Sequence, residues 1–258
     1  MVLTADYHTH TVFSHGKGTI QDNSEIAKSL GLKQVGITDH GFSHPAFGLR
    51  NSKLPKMRKL CDDASKQLGI DVLLGIESNL VCESGKTDLK EKNYDYFDIY
   101  LAGIHKFIMY KPKTVFTVGL PSVFYSTLNF EKVPSRLIKS TTKALVNTVK
   151  NNPVDVITHL NFCSYSNPVE VAKVCADYGT YLEISSKKVH LTDEEIIKIL
   201  DTGVNFVISS DAHSPSRVGE VKLATECIKR LNIPLERIHN INGKIPDFRF
   251  KKFKEKSL

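Results

Sequence analysis

The sequence repeats one local pattern four times: an amphipathic stretch, a glycine, and then a short apolar run. The four glycines are Gly31, Gly69, Gly179 and Gly203, and the runs after them are residues 34–38, 71–76, 180–184 and 204–208. Glycine directly after a helix commonly caps it in the left-handed conformation, and a short apolar run after it is typical of a buried parallel strand. The pattern therefore predicts a series of helix–turn–strand units.

Three more apolar runs, residues 3–7, 97–104 and 154–158, bring the number of predicted strands to seven. The segments between them are long enough for the helical crossovers that join parallel strands. No linker or change in composition interrupts this alternation, which is typical of one α/β domain. The pattern is compatible with an open doubly wound sheet or with a closed barrel.

The whole chain, residues 1–258, is expected to form one domain, because a chain of this length buries about three quarters of its unfolded surface. Residues 251–258 contain four lysines and are expected to be a solvated basic tail. The five cysteines include no Cys-x-x-Cys pair, which fits reduced thiols. No apolar run approaches the roughly 18 residues of a membrane span, and no signal peptide fits before Asp6. These features predict a cytoplasmic protein.

Nine potential metal ligands follow the predicted strands. Seven of the ten histidines lie at such positions, and two carboxylates accompany them. The set comprises His8, His10, His15, His40, Glu77, His105, His159, Asp211 and His213. In barrels and in open α/β sheets, the carboxyl ends of the strands share one face, where catalytic groups gather. We therefore expect these side chains to form one site, and their distribution favours the barrel.

The spacing and types of these residues indicate metal binding. His8 and His10 are two residues apart, as are Asp211 and His213, and such pairs point to the same face of an extended segment. Imidazoles together with carboxylates suit Zn²⁺, Mn²⁺ or Fe²⁺ better than Mg²⁺, which prefers oxygen ligands. Because one tetrahedral zinc needs only four ligands, the nine predict two or three ions. The formal net charge of +7 suits a protein whose ligands carry phosphate.

The motifs that carry these residues resemble those of the PHP (polymerase and histidinol phosphatase) family. They are His8-x-His10, His15, Thr38-Asp39-His40, Gly75-Ile76-Glu77, Gly103-Ile104-His105, Thr158-His159 and Ser210-Asp211-Ala212-His213. The resemblance extends from residue 6 to at least residue 219. Residues 75–79, 210–220 and 234–238 look most like the small stand-alone YcdX-type branch of phosphatases. The resemblance implies a distorted (β/α)7 barrel of the TIM type with a trinuclear metal centre at its carboxyl mouth.

By this resemblance the ligands divide among three ions. The first ion would be held by His8, His10, Glu77 and Asp211, the second by Glu77, His105 and His159, and the third by His15, His40 and His213. Glu77 would then bridge two ions. The family usually has proline after the histidine at position 159, whereas this chain has Leu160, which puts the shape of that part of the pocket in doubt.

The resemblance further implies hydrolysis of a small phosphomonoester, such as histidinol phosphate or a sugar or nucleotide phosphate. Zn²⁺, or Mn²⁺ or Fe²⁺, would lower the pKa of bound water and hold a bridging hydroxide for attack on phosphorus. Glu77 and Asp211 are the catalytic candidates among the ligands. Arg217 is a third candidate, because a guanidinium just beyond His213 could grip a phosphate with two hydrogen bonds. The alternative is that Arg217 faces solvent.

Two other positions near the predicted site have two interpretations each. Asp39 orients the imidazole of His40 or caps the next turn. Lys187 and Lys188 face the mouth and attract phosphate, or they are flexible and exposed.

The long connection from residue 106 to residue 121 is expected to be either a lid or a surface loop. Its polar residues Lys106, Tyr110, Lys111 and Lys113 would form a basic lid or be solvated. Three histidines, His44, His190 and His239, lie off the strand-end pattern and are expected on the surface or in the core.

Three alternative functions remain open. The same metals would serve a phosphodiesterase or a 3′–5′ exonuclease, although no basic, aromatic-rich strip suits single-stranded nucleic acid. A C–N hydrolase of the amidohydrolase type also begins with His-x-His, but Glu77 and His105 stand where such enzymes commonly carry a modified lysine. A metal-stabilised scaffold without turnover would need fewer ligands. The expected partner is a small phosphorylated substrate. Binding to a membrane is not expected, and nucleic acid is not the favoured partner.

Overall fold

The computed structural model describes residues 1–128 and 132–257 of the chain. Its centre is a sheet of seven parallel strands, arranged in space in the order of the sequence. The strands are β1 (Ala5–Thr9), β2 (Gln34–Ile37), β3 (Asp71–Asn79), β4 (Ile99–Gly103), β5 (Val156–Ile157), β6 (Tyr181–Ser185) and β7 (Phe206–Ser209). All seven predicted strands are therefore confirmed.

Helices fill the connections between the strands. They are α1 (Ile20–Ser29), α2 (Leu54–Leu68), α3 (Pro112–Thr114), α4 (Leu120–Leu128), α5 (Ser135–Asn151), α6 (Pro168–Tyr178), α7 (Asp193–Leu200), α8 (Lys222–Arg230) and α9 (Arg249–Ser257), with one π-helical turn at Val115–Gly119. Gly69 and Gly179 cap α2 and α6 with φ of 66° and 70°, as the sequence pattern predicts. Short 3₁₀ helices occupy Asn51–Lys53, Glu91–Tyr96, Pro215–Arg217 and Leu235–Arg237.

The first and last strands close the sheet into a distorted barrel. Thr9 and Ala212 form a parallel bridge just beyond the end of β7. Below it, the side-chain amide of Asn240 donates to the carbonyls of Ala5 and Ile208 at 2.8 and 2.6 Å and accepts the Ile208 N–H at 3.0 Å. A side chain thus replaces the missing ladder between β1 and β7. The (β/α)7 barrel is confirmed over the open sheet.

The interior of the barrel is apolar toward the amino ends of the strands and polar at their carboxyl ends. A compact cluster of buried side chains from the strands includes Tyr7, Ile99, Leu101 and Val207. The pairing of β1 with β2 shifts register between Asp6 and Thr9, which breaks the alternation of faces. Consequently Tyr7 packs into the apolar cluster while the next side chain, His8, already belongs to the polar end.

The C-terminal segment differs from the expected solvated tail. Residues up to Ser257 form α9, and Leu258 lies outside the described residues. Phe250, at the start of this helix, is fully buried, and its backbone N–H donates to Asp155 at 2.8 Å. Lys251, Lys252 and Lys256 remain exposed as expected. The segment is therefore a helix that packs on the barrel through Phe250 and through Lys254, which donates to the Phe97 carbonyl.

In the part of the chain that the structure describes, no helix combines the length and the apolar character that crossing a membrane would require.

Candidate metal centre

Histidines from four strand ends meet at one buried carboxylate, Glu77 of β3. Its Oε1 lies 2.9 Å from His105 Nε2, 2.7 Å from His159 Nε2 and 3.3 Å from His8 Nε2. Its Oε2 lies 2.8 Å from His40 Nδ1 but without the geometry of a hydrogen bond. Residues up to 82 positions away from Glu77 in the chain therefore converge on it.

Asp211, just after β7, forms a second centre beside the first. Its Oδ1 lies 3.3 Å from both His10 Nε2 and His213 Nδ1 and 3.8 Å from His8 Nε2. Its backbone has a φ of 48°, in the left-handed region that is costly for a residue with a side chain. Such strain is typical of functional sites, where the surrounding structure holds a side chain in one direction.

The structure brings eight of the nine predicted ligands into groups with the spacing of metal ligands. Within each group the potential ligand atoms all lie within 4.8 Å of one another. The groups are His8–His10–Asp211, His8–Glu77–His159, His40–Glu77–His105 and His10–His40–His213. They overlap the three sets implied by the family resemblance, in which only Glu77 belongs to two sets. In the structure His8, His10 and His40 also belong to two groups each.

His15, the ninth predicted ligand, lies farther out. Its ring centroid is 5.2 Å from that of His213 and 6.3 Å from that of His40, and the ring stacks on Phe47 at 4.2 Å. It is an exposed side chain at the rim of the site. Whether His15 ligates an ion therefore stays a prediction.

The charges in this cluster suit divalent cations. Burial lowers the pKa of His10 and of His40, which keeps both rings neutral with lone pairs available. Burial alone would raise the pKa of Glu77 and of Asp211, but the surrounding imidazoles hold both well below the usual range. Burial would also lower the pKa of His8 and of His159, but the carboxylates of Glu77 and Glu183 beside them raise both. Imidazoles around two anionic carboxylates are the donor set of zinc, manganese or iron sites.

Several buried polar atoms at the centre lack hydrogen-bond partners among the described residues. They include His8 Nε2, both ring nitrogens of His10, and Glu77 Oε2. An unpaired buried polar atom costs about 1–3 kcal/mol, and such atoms are rare in native proteins. Their concentration on the predicted ligands shows that the residues present fit bound metal ions.

A cleft of roughly 210 Å³ opens onto this cluster. Phe47, Phe107 and Phe162 line its walls, and Lys106 and Lys187 contribute the cationic groups. Lys187 Nζ lies 3.1 Å from Asp211 Oδ2, so this lysine faces the mouth. The cleft therefore combines positive charge with aromatic walls above the metal-binding residues.

Arg217 does not line this cleft. It lies in the 3₁₀ turn after His213, about half exposed, and pairs with Glu220. Its role as a phosphate clamp stays a prediction that this geometry does not favour. Lys188 lines a neighbouring cavity with His190, while Lys187 lines the cleft itself.

Asp39 has neither of the two roles expected for it. Its carboxylate accepts the Thr11 N–H at 2.7 Å and the hydroxyls of Thr11 and Ser14 at 2.6 Å each. It therefore holds the loop after β1, which carries His15. The ring of His40 donates no hydrogen bond to it within the described residues.

Three supporting residues were missed by the sequence analysis. Asn79 Oδ1 lies 2.7 Å from His105 Nδ1, and Asp88 in turn accepts the Asn79 amide at 2.7 Å. Glu183 of β6 lies 2.7 Å from His8 Nδ1. The available signal was a charged residue inside an apolar run, Tyr181–Ile184, where burial of Glu183 requires a partner.

The remaining predicted residues divide between the cleft and the periphery. His44 lines the cleft, contrary to expectation, with its ring centroid 4.8 Å from that of Phe47. His190 packs on Phe162 at 4.9 Å, and His239 lies 3.2 Å from the Tyr181 hydroxyl. In the long connection, Lys106 lines the cleft, the Tyr110 hydroxyl donates to the His105 carbonyl at 3.3 Å, and Lys111 and Lys113 are exposed.

A parallel barrel with a histidine–carboxylate cluster at its carboxyl mouth defines the class of metal-dependent barrel hydrolases. The model of the PHP domain matches residues 6–188, well over half of the chain. The protein belongs to the PHP domain family.

Similar proteins span nearly the whole chain. A protein named "Probable phosphatase" from Thermoanaerobacter sp. (strain X514) is 31% identical over 261 residues, covering 96% of this chain and 95% of its own. One with the same description from Caldanaerobacter subterraneus is 30% identical over 248 residues, covering 92% and 87%. Histidinol phosphate phosphatase from Lactococcus lactis, solved with zinc, L-histidinol and phosphate, shares the fold: the TM-score is 0.56 at 14% identity, over 90% of this chain and 94% of that one.

Proposed function

We propose that this protein is a phosphatase that hydrolyses a small phosphomonoester with the help of three divalent metal ions, zinc being the first choice. The observation that carries the proposal is the convergence of four imidazoles on Glu77 at the floor of a cleft with two lysines. The relatives named as phosphatases and the zinc-containing Lactococcus lactis enzyme with the same fold support it.

The chain would hold the ions through the eight clustered ligands, with His15 completing the outermost set. Bound divalent ions supply Lewis acidity, which activates water and neutralises charge on a phosphoryl group. Glu77 would bridge two ions, because its Oε1 faces His8, His105 and His159 while its Oε2 faces His40. Asp211 would anchor the ion on the β7 side of the mouth.

The cleft itself favours a monoester of a small alcohol. Its volume of roughly 210 Å³ falls below the range of about 300–1,000 Å³ that is usual for drug-sized ligands. Phe47 and Phe162 would exclude water from the leaving group, and Lys187 would pair with the phosphate. Histidinol phosphate and sugar phosphates are of suitable size, whereas a polynucleotide would have to bind mostly outside the cleft.

The test is metal analysis followed by a substrate panel on the same sample, purified without chelator. We expect close to three equivalents of zinc, manganese or iron per chain. We also expect turnover of p-nitrophenyl phosphate and histidinol phosphate, with little turnover of bis-p-nitrophenyl phosphate or labelled oligonucleotides. Turnover of diesters alone would replace the proposal with a phosphodiesterase, and metal binding without any turnover would replace it with a scaffold.

A pair of variants distinguishes the two candidate phosphate clamps. Lys187→Ala should raise KM for the phosphomonoester about tenfold, because a charge-assisted hydrogen bond contributes about 1.5–3 kcal/mol and this side chain is partly exposed. Arg217→Ala should change KM by less than about twofold. Lys188→Ala is the matched control from the neighbouring position. The opposite ranking of Lys187 and Arg217 would restore the arginine as the clamp.

A further inference from the structure

β6 differs from the other six strands of the barrel at its carboxyl end. The ends of the other strands carry the predicted ligands, whereas β6 and the residues directly after it carry none of them. β6 instead carries Glu183, whose side chain is fully buried. A buried carboxylate in a strand needs a compensating partner, and its partners, His8 and His159, are the two imidazole ligands of the His8–Glu77–His159 group.

One oxygen of Glu183 determines how the ring of His8 is presented. Glu183 Oε1 lies 2.7 Å from His8 Nδ1, and an ionised carboxylate can only accept, so His8 Nδ1 carries the proton. The lone pair of His8 is then on Nε2, which faces Glu77 Oε1 at 3.3 Å and Asp211 Oδ1 at 3.8 Å. The tautomer that can bind a metal ion is thus fixed by a residue 175 positions away.

The other oxygen of Glu183 holds the backbone of a second ligand. Glu183 Oε2 accepts the His159 backbone N–H at 2.7 Å. His159 has a φ of 26°, outside the regions that residues with a side chain favour, so its conformation needs support from its surroundings. Its Nε2 lies 2.7 Å from Glu77 Oε1, the same oxygen that His8 approaches.

On the basis of the metal-dependent function proposed above, we propose that Glu183 is a positioning residue for two ligands of the His8–Glu77–His159 group, of which His8 is shared with the His8–His10–Asp211 group. It fixes the His8 tautomer with one oxygen and the His159 backbone with the other, so the ligands that meet at Glu77 depend on it. The His10–His40–His213 group contains none of the residues that Glu183 contacts. Loss of the carboxylate should therefore weaken the binding of the ions at Glu77. The affinity for an ion held by His10, His40 and His213 should not change.

Glu183→Gln is the most informative change because it keeps size and removes one acceptor. If the amide oxygen still accepts from His159, the amide NH₂ group faces His8 Nδ1 and forces the proton onto Nε2, which then cannot ligate. We expect affinity for the ions at Glu77 to fall about 10–100-fold, measured by zinc competition against a chelator of known affinity. One ion per chain should keep its wild-type affinity.

Two controls accompany this measurement. Glu226→Gln, the same change on the exposed face of α8, should leave every ion affinity unchanged. Glu183→Asp keeps the charge and should restore part of the lost affinity, and it serves as the test variant if Glu183→Gln does not fold. In zinc-loaded wild-type protein, ¹⁵N-edited NMR should show His8 protonated at Nδ1, and Glu183→Gln should lose that signal.

The outcomes separate this inference from the proposed phosphatase activity. The positioning role would be overturned if both Glu183 variants kept the wild-type ion affinities, or if the affinity for every ion fell equally. Either result would count even if the wild-type enzyme is active. Selective loss of the ions at Glu77 would support it even if the wild-type protein hydrolyses no phosphate ester.

Discussion

The two ends of the barrel bury carboxylates in opposite ways. Toward the amino end, the carboxylate of Asp155 accepts the backbone N–H groups of Tyr100 and Phe250 at 2.9 and 2.8 Å. At the carboxyl end, Glu77 is as deeply buried, yet it faces imidazoles rather than backbone donors, and its Oε2 makes no hydrogen bond within the described residues. The first carboxylate joins elements of the fold, and the second faces a set of ligands.

The seam between β1 and β7 resembles the amino end of the barrel, because its buried carboxylate also accepts backbone N–H groups. Asp6 accepts the backbone N–H groups of Ser210 and Gly219 at 3.2 and 2.8 Å, and Asn240 satisfies both strands. Buried polar groups with complete hydrogen bonding stabilise a fold, whereas a concentration of unsatisfied ones marks a place where a ligand completes the structure. This contrast supports the predicted metal site independently of the family resemblance.

The largest expected effect comes from removing the charge at the carboxyl end. Glu77→Gln should lower phosphatase activity at least about 10³-fold and reduce the number of bound ions, because the shared anionic ligand is lost. In urea unfolding, loss of Glu77 should destabilise the ion-bound protein more than the ion-free protein, because the Glu77 carboxylate accepts no backbone N–H group within the described residues and its contacts are to side chains of the predicted ion site. An equal loss of stability in the two states would contradict this separation of roles.

A smaller effect, with the opposite profile, is expected at the seam. Asn240→Ala removes three hydrogen bonds and leaves the Ala5 and Ile208 backbone groups unsatisfied. The free energy of unfolding should fall by about 2–4 kcal/mol, measured with urea, while the number of ions bound at saturating zinc stays the same. Gln67→Ala on the exposed face of α2 is the control. Loss of ions from folded Asn240→Ala protein would show that seam and site are not separable.

The smallest expected effect is a pH dependence at the amino end. Burial raises the pKa of Asp155 to about 7, against a value of about 3.9 in unfolded chains. Between these values the folded state binds the proton more strongly, so the contribution of Asp155 to stability is greatest at acidic pH and decreases as the pH rises toward 7. From pH 5 to pH 8, ion-free wild-type protein should lose about 2 kcal/mol relative to Asp155→Asn in urea unfolding. A difference that does not vary with pH would show that the two N–H donors keep Asp155 ionised throughout.

Much of the fold and most of the candidate site could be predicted from the sequence. Strand number and order follow from local apolar runs and glycine caps, which depend on residues close together in the chain. The clustering of His8, Glu77, His159 and Asp211 follows as well, because the carboxyl ends of parallel strands meet at one face. Neither inference requires knowledge of which residues touch.

Only the tertiary structure decided which side chains support the site and which do not. Glu183 and His8 are 175 residues apart, and nothing in either local sequence indicates their contact. Arg217 turns toward Glu220, His15 stays at the rim, and Asn240 replaces a strand ladder. Such assignments depend on side-chain direction and on distances of a few ångströms between remote segments. Local sequence patterns determine which residues reach the mouth of the barrel, but packing of the whole chain determines how they are aimed.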